Sequence, residues 1–277
     1  SVPAFRPEQK DILTFMERVY ALKEADNRKL KFLSHQSSIE TRYSVLPDYS
    51  LSAKDWQFYP AAENLEPFPD IEMRMEWFKR KAPALAIDAI QKCIENKISK
   101  NEITHLITIS CTGMSAPGLD LQVMEAMDLP TNIFRTSVNF MGCYAAVHGL
   151  KLSEIICSND KNARVLVVCT ELCTLHFQKE YTMDNIASGL LFGDGAAAIL
   201  IAHNDAKEKG LKINNFYSEV SFKGKKEMSW ELSSTGFLMN LSGYVPELIE
   251  QDFEGLLTKA LQHAHLKKDE ISHWCIH

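Results

Sequence analysis

The 277-residue sequence contains no long hydrophobic run, because no window of 18 residues is wholly apolar. A transmembrane helix needs about 20 predominantly apolar residues, so we expect no membrane span. An excess of basic residues is missing as well, since 30 Lys and Arg face 36 Asp and Glu for a formal net charge of −6. A nucleic-acid-binding surface is therefore not expected. There is also no low-complexity segment and no short-period repeat.

The seven cysteines lack the spacing of a disulfide framework or a metal site. Their odd number, spread through apolar segments, is typical of reduced thiols in a cytoplasmic protein. No CxxC pair occurs, and Cys169 and Cys173 have no histidine pair at zinc spacing nearby. We therefore expect no metal ion and a cytoplasmic location.

Short apolar runs alternate with amphipathic segments along the chain. Strands are predicted at 105–110, 164–171, 196–202 and 211–220, with an extended segment at 132–137 and a strand-like end at 271–277. Helices are predicted to begin at Pro7 and at Cys143, and to cover 70–96, with a break near Pro83, and 244–266. Residues 44–68 are predicted to form a loop with short helices. This alternation is typical of an α/β domain.

The helix at 244–266 has an apolar stripe that is predicted to face inward. It consists of Val245, Leu248, Ile249, Leu256, Ala260 and Leu261.

Cys143 is placed where an extended segment turns into a helix, in SVNFMGCYAAVHGLKL at 137–152. At a helix N-terminus the backbone N–H groups and the helix dipole favour an anion, so a thiolate would be stabilised there. The alternative is a small apolar residue packed in the core, which is the usual environment of a free cysteine. The local pattern leaves both interpretations open.

Five motifs in register place Cys143 in a wider context. They are CTGMSAPGLD at 111–120, FMGCYA at 140–145, RVLVVCTELCTLHF at 164–177, LFGDGAAA at 191–198 and WCIH at 274–277. Together they resemble the type III polyketide synthases, the chalcone and stilbene synthase-like enzymes of the thiolase superfamily. The resemblance extends from SSIETRY at 37–43 to His277.

The resemblance implies a CoA-dependent, iterative condensing acyltransferase. Cys143 matches the cysteine that accepts an acyl group from a starter acyl-CoA, and His277 matches the family's catalytic histidine. Malonyl-CoA is then decarboxylated and condensed with the acyl thioester, without a cofactor beyond these CoA substrates. A thiolate suits both steps because it is a nucleophile near neutral pH and later a good leaving group. The histidine would stabilise the thioester oxyanion.

Four further positions are implied to bind substrate. Phe192 matches an aromatic gatekeeper, and Met239 is placed where plant members carry a second gatekeeping phenylalanine. Cys111 occupies a cavity-lining threonine position, and with Met239 it favours an aliphatic starter over a cinnamoyl-type one. Lys29 matches a cation that binds CoA. The structural alternatives are a core phenylalanine at 192, a buried thiol at 111 and a solvated face around Lys29.

The other cations expected around the CoA phosphates are missing, because Phe32 and Gln36 occupy their positions; Arg28 and Lys31 are candidates to replace them. Glu171 matches an acidic residue of the family, for which structural support of the strand is expected.

The implied fold is the thiolase-like layered α-β-α-β-α architecture. Residues 1–202 would form the N-terminal half with the nucleophile, and 203–277 the start of the C-terminal half, truncated after the histidine. The family's catalytic asparagine has no counterpart in these residues, so we expect the sequence to be a fragment of a longer polypeptide. A homodimer is implied, with the turn at 111–120 and Ala116 near its twofold axis.

Two other functions fit the same motifs. A ketoacyl-ACP synthase III-like enzyme would use the same cysteine and histidine for a single condensation, with an acyl carrier as donor. An inactive thiolase-fold scaffold would bind without reacting, and it predicts that Cys143 is buried.

Overall fold

The structure, a computed structural model, describes residues 1–62, 64–206 and 210–276. The strands in this part of the chain are β1 (His105–Ser110), β2 (Phe134–Asn139), β3 (Arg164–Leu172), β4 (Asp194–Ala202), β5 (Met228–Ser233) and β6 (Gly236–Leu241). The helices are α1 (Gln9–Tyr20), α2 (Glu24–Gln36), α3 (Ile71–Ile94), α4 (Leu119–Met127), α5 (Tyr144–Asn159), α6 (Met183–Leu191) and α7 (Val245–Ala264).

The first four strands form one mixed sheet in the order β2-β1-β3-β4. β1 is parallel to both neighbours, with His105 opposite Phe134 on β2 and Val165 on β3. β4 runs antiparallel to β3, with Arg164 opposite Ala202. β1 and β3 are buried along almost their whole length, which explains their continuous apolar sequences.

Helices cover both faces of this sheet. On one face Leu106 and Leu166 belong to the larger core cluster, which includes the buried side of α3. On the other face Ile107 and Val167 pack with α5. A Cβ at Gly149 of α5 would lie 2.7 Å from Ile109 Cδ1, so the glycine permits this close helix–sheet approach. The layered α/β architecture that the sequence predicts is therefore confirmed.

Several local predictions for the first 200 residues are confirmed, and one is wrong. The strands at 105–110 and 164–171 match β1 and β3 within one residue, and residues 44–68 contain two short 3₁₀ turns. α3 starts after Asp70, whose side chain accepts from Met73 N. The predicted break near Pro83 is wrong: α3 continues through this residue as one helix. Lys79, four residues earlier, is exposed, so the carbonyl that loses its N–H partner can bind water.

α1 begins two residues later than predicted, at Gln9, after a capping box formed by Glu8 and Asp11. The extended segment predicted at 132–137 is confirmed as β2, displaced by two residues.

The predictions for residues 210–276 are less accurate. The strand predicted at 211–220 is wrong, since these residues form no regular element. The antiparallel hairpin of β5 and β6 was not predicted, although Ser233 and Gly236 bound a turn between two strand-like runs. Residues 271–276 likewise form no strand, and position 277 lies outside the described residues.

α7 matches the predicted helix at 244–266, but its predicted inward face is wrong. No residue of α7 is buried within the described part of the chain, and Ile249 and Leu256 are exposed. No helix among the described residues is long and apolar enough to cross a membrane.

Candidate active site

Cys143 occupies the N-cap position of α5, as the sequence predicts. Phe140 and Gly142 have positive φ values of 56° and 63°, and Ala145 N donates to Gly142 O at 3.0 Å. This turn leaves Cys143 exposed, so the core-cysteine interpretation is wrong. The N–H groups of the first helical turn, beside Cys143, have no partner within the helix. The geometry allows nucleophilic chemistry at Cys143.

Cys111 lies beside the same turn, at the end of β1. Its Sγ is 3.9 Å from Gly142 O, while its backbone N–H donates to Glu171 Oε1 at 2.9 Å. The same carboxylate accepts from Thr112 Oγ1 at 2.6 Å. Burial raises the pKa of Cys111, and the Glu171 charge adds to that effect, so the thiol stays protonated. Glu171 thus supports the strand end, as expected from the sequence.

His176 ties the hairpin to this strand end. Its Nδ1 accepts from Phe237 N at 3.1 Å, which assigns the proton to Nε2, and Nε2 donates to Thr112 O at 2.7 Å. The ring also stacks on Phe237, with centroids 4.4 Å apart. Burial lowers the pKa of His176 to about 3, so the imidazole is neutral. Trp230 adds a second tie, because its Nε1 donates to Cys111 O at 2.6 Å.

A small cavity of about 30 Å³ lies between the hairpin, α6 and the segment 42–49. Phe192 and Met239, the two predicted gatekeeper positions, both line it, together with Cys173. Burial raises the pKa of Cys173 well above its usual range, and the charges of Glu171 and Asp194 add to the shift. Cys173 is therefore a protonated thiol on the cavity wall.

One buried charged residue lines the cavity, and a second, Asp194, binds Thr174 of its wall. Arg42 lines it directly, and only 5% of the residue is exposed. Asp194 is also buried, and its carboxylate accepts from Thr174 N at 2.8 Å, Thr174 Oγ1 at 2.6 Å and Val45 N at 2.7 Å. Burial raises the pKa of Asp194 to about 6, although these hydrogen bonds and Arg42 oppose the shift.

The predicted CoA cations are placed apart from the cavity. Lys29 is exposed on α2 and is not among the residues that line the cavity. Arg28 and Lys31, the candidates to replace the missing family cations, pair with Glu24 and Glu17, respectively. These exposed positions and surface ion pairs fit the solvated-face interpretation of the cluster.

The second predicted catalytic residue, His277, lies outside the described residues. Ala116 is exposed in the turn at 111–120. No group of three or more metal-binding side chains is arranged around a common point among the described residues.

Sequence reasoning missed several residues of this site. Arg42, Trp230, Phe237 and His176 were not predicted to belong to it. The signal for Arg42 was available, since it belongs to the SSIETRY segment that carries the family resemblance. Trp230 and Phe237 gave no comparable signal, because the hairpin that positions them was not predicted.

The comparisons with known proteins identify the family and the fold. The sequence model of the N-terminal domain of chalcone and stilbene synthases matches residues 6–205. "Probable polyketide synthase 1" of Dictyostelium discoideum is 27% identical over 274 residues, which cover 96% of this chain. The chain spans only 8% of the length of that relative.

Solved structures show the same fold. The C-terminal type III polyketide synthase domain of Steely1, a type I/III hybrid from Dictyostelium, has a TM-score of 0.84 and 26% identity, over 97% of this chain and 73% of that one. PKS-I from the brown alga Ectocarpus siliculosus has a TM-score of 0.90 and 25% identity, over 100% and 74%. Tetrahydroxynaphthalene synthase from Streptomyces coelicolor, at 22% identity and a TM-score of 0.80 over 95% and 72%, shares the fold.

Proposed function

Because this chain belongs to the chalcone and stilbene synthase family of type III polyketide synthases, we propose that it is a CoA-dependent polyketide synthase with Cys143 as nucleophile. The observation that carries the proposal is the exposed Cys143 at the N-terminus of α5. Phe192 and Met239, the two predicted gatekeeper positions, line one cavity of the same structure. The proposed substrates are a starter acyl-CoA and malonyl-CoA.

The proposed reaction starts with acyl transfer. The Cys143 thiolate attacks the carbonyl carbon of the acyl-CoA, the new S–C bond forms, and the bond to the CoA sulfur breaks. Malonyl-CoA then loses CO₂, and the enolate carbon attacks the acyl carbonyl of the Cys143 thioester. The C–C bond forms, the Cys143 thiolate leaves, and the elongated chain remains on CoA. His277 is proposed to donate a hydrogen bond to the enolate oxygen, a contribution worth about 2.7–4 kcal/mol per donor.

The proposed starter is aliphatic rather than cinnamoyl-type. A methionine at 239 leaves a flexible side chain at the cavity wall, and the Cys111 thiol is small and protonated. A panel of starters with malonyl-CoA tests this. Turnover of p-coumaroyl-CoA without turnover of C6–C18 acyl-CoA would contradict it.

A homodimer is proposed on the β2 side of the sheet. β2 forms an edge of the sheet, and Phe134 on it is 70% exposed. Met114, in the neighbouring turn, is also exposed. An edge strand with exposed apolar side chains is the kind of surface that soluble proteins cover.

The reactivity of Cys143 tests the nucleophile. Iodoacetamide should alkylate Cys143 faster than Cys275, which is also exposed but does not begin a helix. Cys143→Ala should abolish acyl loading, whereas Cys275→Ala should leave it unchanged. Equal alkylation rates for the two thiols would remove the physical basis of the assignment and favour the inactive scaffold.

Radiolabelled malonyl-CoA separates the two enzyme classes. Extended products formed without a carrier protein support the polyketide synthase. Condensation that requires an acyl carrier protein would identify the ketoacyl-ACP synthase III-like enzyme.

A further inference from the structure

Two free cysteines meet at the turn that leads into α5. Cys143 is exposed at the end of this turn, and the Cys111 Sγ lies 3.9 Å from Gly142 O, the carbonyl oxygen that directly precedes Cys143. In a trans peptide a carbonyl oxygen lies about 2.8 Å from the next Cα, so the Cys111 Sγ is within about 7 Å of the Cys143 Cα. The proposed reaction uses Cys143 but assigns no chemical step to the Cys111 thiol.

The sheet explains why these two residues meet. β1 and β2 are adjacent parallel strands, and Ser110 lies opposite Asn139 at their carboxyl ends. Cys111 directly follows β1, whereas Cys143 lies at the end of the turn that follows β2. Neighbouring strands are about 4.8 Å apart, so the two segments leave the sheet side by side.

The backbone of Cys111 is held in place, and its half-buried side chain contacts the turn. Its N–H donates to Glu171 Oε1 at 2.9 Å, and its carbonyl oxygen accepts from Trp230 Nε1 at 2.6 Å. Burial raises the pKa of Cys111, whereas hydrogen bonds from the backbone of residues 140–142 oppose the shift, so the sulfur lies against these residues. Cys111 is therefore a fixed thiol beside the segment that carries Cys143.

The turn that carries Cys143 has space to move towards Cys111. Met141, Gly142 and Cys143 are all exposed. Gly142 has φ +63°, and no atom of the described residues outside its immediate neighbours lies within 4 Å of the position that a Cβ would take there. Glycine populates both signs of φ at little cost, so this backbone can adjust. A disulfide needs its two Cα atoms about 4.4–6.8 Å apart, which a small shift of the turn provides.

The other cysteines near the turn are less suited to react with Cys143. Cys173 lies on the wall of the small cavity, which neither Cys111 nor Cys143 lines among the described residues. Burial raises the pKa of Cys173 well above its usual range and that of Cys169, on β3, to about 11. The thiolate is the form that attacks sulfur, so both react slowly. Cys111 contacts the turn itself and is the better placed partner.

We propose that Cys111 and Cys143 are a redox modification site, in which they form a reversible disulfide when hydrogen peroxide oxidises Cys143. The Cys143 sulfur attacks the peroxide, the O–O bond breaks, and a sulfenic acid and one water form. The Cys111 sulfur then attacks the Cys143 sulfur. The S–S bond forms, the S–O bond breaks, and the hydroxyl leaves as water with the Cys111 proton. Together the two thiols lose two electrons, and hydrogen peroxide is reduced to two waters.

The disulfide protects Cys143 from irreversible damage. A sulfenic acid that meets no second thiol is oxidised further to a sulfinic acid, which thiol reductants do not reverse. The disulfide with Cys111 stops this oxidation, and a dithiol reduces it back to the two thiols. While the disulfide is present, Cys143 cannot accept an acyl group. That consequence rests on the proposed function, whereas the disulfide itself depends only on the two thiols.

Peptide mapping of the full chain tests the disulfide. The protein is treated with hydrogen peroxide, the remaining thiols are blocked with iodoacetamide, and a non-reducing digest is analysed by mass spectrometry. The parent protein should give a cross-linked peptide of Cys111 and Cys143 that disappears after dithiothreitol. Cys111→Ser retains the backbone groups that bind Glu171 and Trp230, but it should lose the cross-link, and its Cys143 should accumulate as sulfinic acid.

Two further variants are the matched controls. Cys173→Ala removes the buried thiol on the cavity wall, and Cys275→Ala removes the other exposed cysteine. Both should form the Cys111–Cys143 cross-link as the parent protein does. A non-reducing gel separates a disulfide within one chain from one between two chains. If Cys111→Ser does not fold, the identity of the linked peptide in the parent protein decides the question.

Four outcomes overturn the role of Cys111. They are an unmodified Cys143, a Cys143 sulfinic acid without a cross-link, a cross-link to Cys173 instead, and a cross-link between two chains. Acyl loading tests the proposed function separately, because peroxide-treated parent protein should lose loading by hexanoyl-CoA and regain it after dithiothreitol. If the cross-link forms but no acyl-CoA loads the reduced protein, the disulfide is supported and the proposed function is overturned.

Discussion

Two arginines are almost completely buried near the cavity, and their surroundings differ. Arg74, on α3, donates from Nε to Pro69 O at 3.0 Å and from Nη1 to Leu175 O and to Phe177 O, the latter at 3.1 Å. Its guanidinium also lies over the Phe68 ring, 5.3 Å from the centroid. Arg42 has no comparable acceptors for Nε and Nη2 among the described residues.

The difference shows that a buried charged side chain can either stabilise the fold through hydrogen bonds or line a cavity without using all of its donors. Arg74 joins α3 to the segment 175–177 behind the cavity, and only its Nη2 lacks a partner among the described residues. Arg42 lines the cavity, and its Nε and Nη2 have no hydrogen-bond partner among the described residues. A glycine lies against each stem, Gly236 against Arg74 and Gly193 against Arg42, so both stems are closely packed. We infer that Arg74 stabilises the fold and that Arg42 does not.

Removal of Arg74 is expected to have the largest effect. Arg74→Met leaves the carbonyls of Pro69, Leu175 and Phe177 without their donor, and the free energy of unfolding should fall by about 3–5 kcal/mol. Urea denaturation measures the change. Arg80→Met, at an exposed position of the same helix, should change stability by about 0.5 kcal/mol or less. Equal effects for the two variants would contradict the structural role of Arg74.

The next largest loss of stability is expected from glycine substitutions that crowd the aliphatic part of each arginine side chain. Gly236 has φ +118°, and a Cβ there would lie 2.8 Å from Arg74 Cδ, so Gly236→Ala should cost about 2–4 kcal/mol. Gly193→Ala, with a Cβ 2.9 Å from Arg42 Cγ but no positive φ, should cost about 1–2 kcal/mol.

Gly195→Ala is the control, because the nearest atom to its Cβ is Ser1 O at 3.6 Å. Its stability should remain within about 0.5 kcal/mol of the parent protein. Thermal unfolding of the three variants would contradict the packing argument if Gly195→Ala were as unstable as Gly236→Ala.

The pH dependence of stability tests the neutral His176 that links the hairpin to β1. Its folded pKa of about 3 is below the ordinary 6.5, so from pH 6.5 down to 3 the unfolded chain takes up a proton that the folded chain does not. Stability should therefore fall as pH falls, by up to about 1.4 kcal/mol per pH unit. Asp194 has the opposite sign, because its pKa is raised from 3.8 to about 6 and its contribution is lost as pH rises through that window.

A variant separates these two opposing contributions. The difference in unfolding free energy between the parent protein and His176→Gln should grow by about 2 kcal/mol from pH 4.5 to 6.0. Asp194 and the surface carboxylates cancel in this difference. A difference that stays constant across this range would show that His176 titrates normally in the folded state.

The smallest expected change in stability belongs to Arg42. Arg42→Met removes a desolvated charge and loses no hydrogen bond from Nε or Nη2, so stability should stay the same or rise by about 1 kcal/mol. Urea denaturation measures it beside Arg74→Met. If the free energy of unfolding falls by more than about 2 kcal/mol, Arg42 stabilises the fold as Arg74 does, and the contrast between the two arginines is wrong.

Local chemistry determined much of the N-terminal part of the fold. Continuous apolar runs identified β1 and β3, because strands buried on both faces have no polar side. Asp70 marked the start of α3, and the glycine before Cys143 marked the turn into α5. These features depend on residues close in sequence, so a sequence pattern can report them.

The strand at 211–220 and the buried face of α7 were predicted wrongly for a physical reason. The strand at 211–220 was expected from β-prone residues, but strand formation needs a partner, and those residues have none in the described structure. α7 has the predicted helical period, yet its apolar stripe is not buried in the described part of the chain. Period determines that a helix can form, whereas burial depends on what packs against it.

Some residues of the candidate site were identified from the sequence, and others only from the tertiary structure. The sequence alone identified Cys143 as a cysteine at a helix start and, through the family resemblance, identified Phe192 and Met239 as cavity positions. Only the tertiary structure placed Arg42 on the same cavity and showed that its Nε and Nη2 lack acceptors among the described residues. Hydrogen-bond satisfaction depends on groups brought together from distant parts of the chain, so a linear pattern of residues does not contain it.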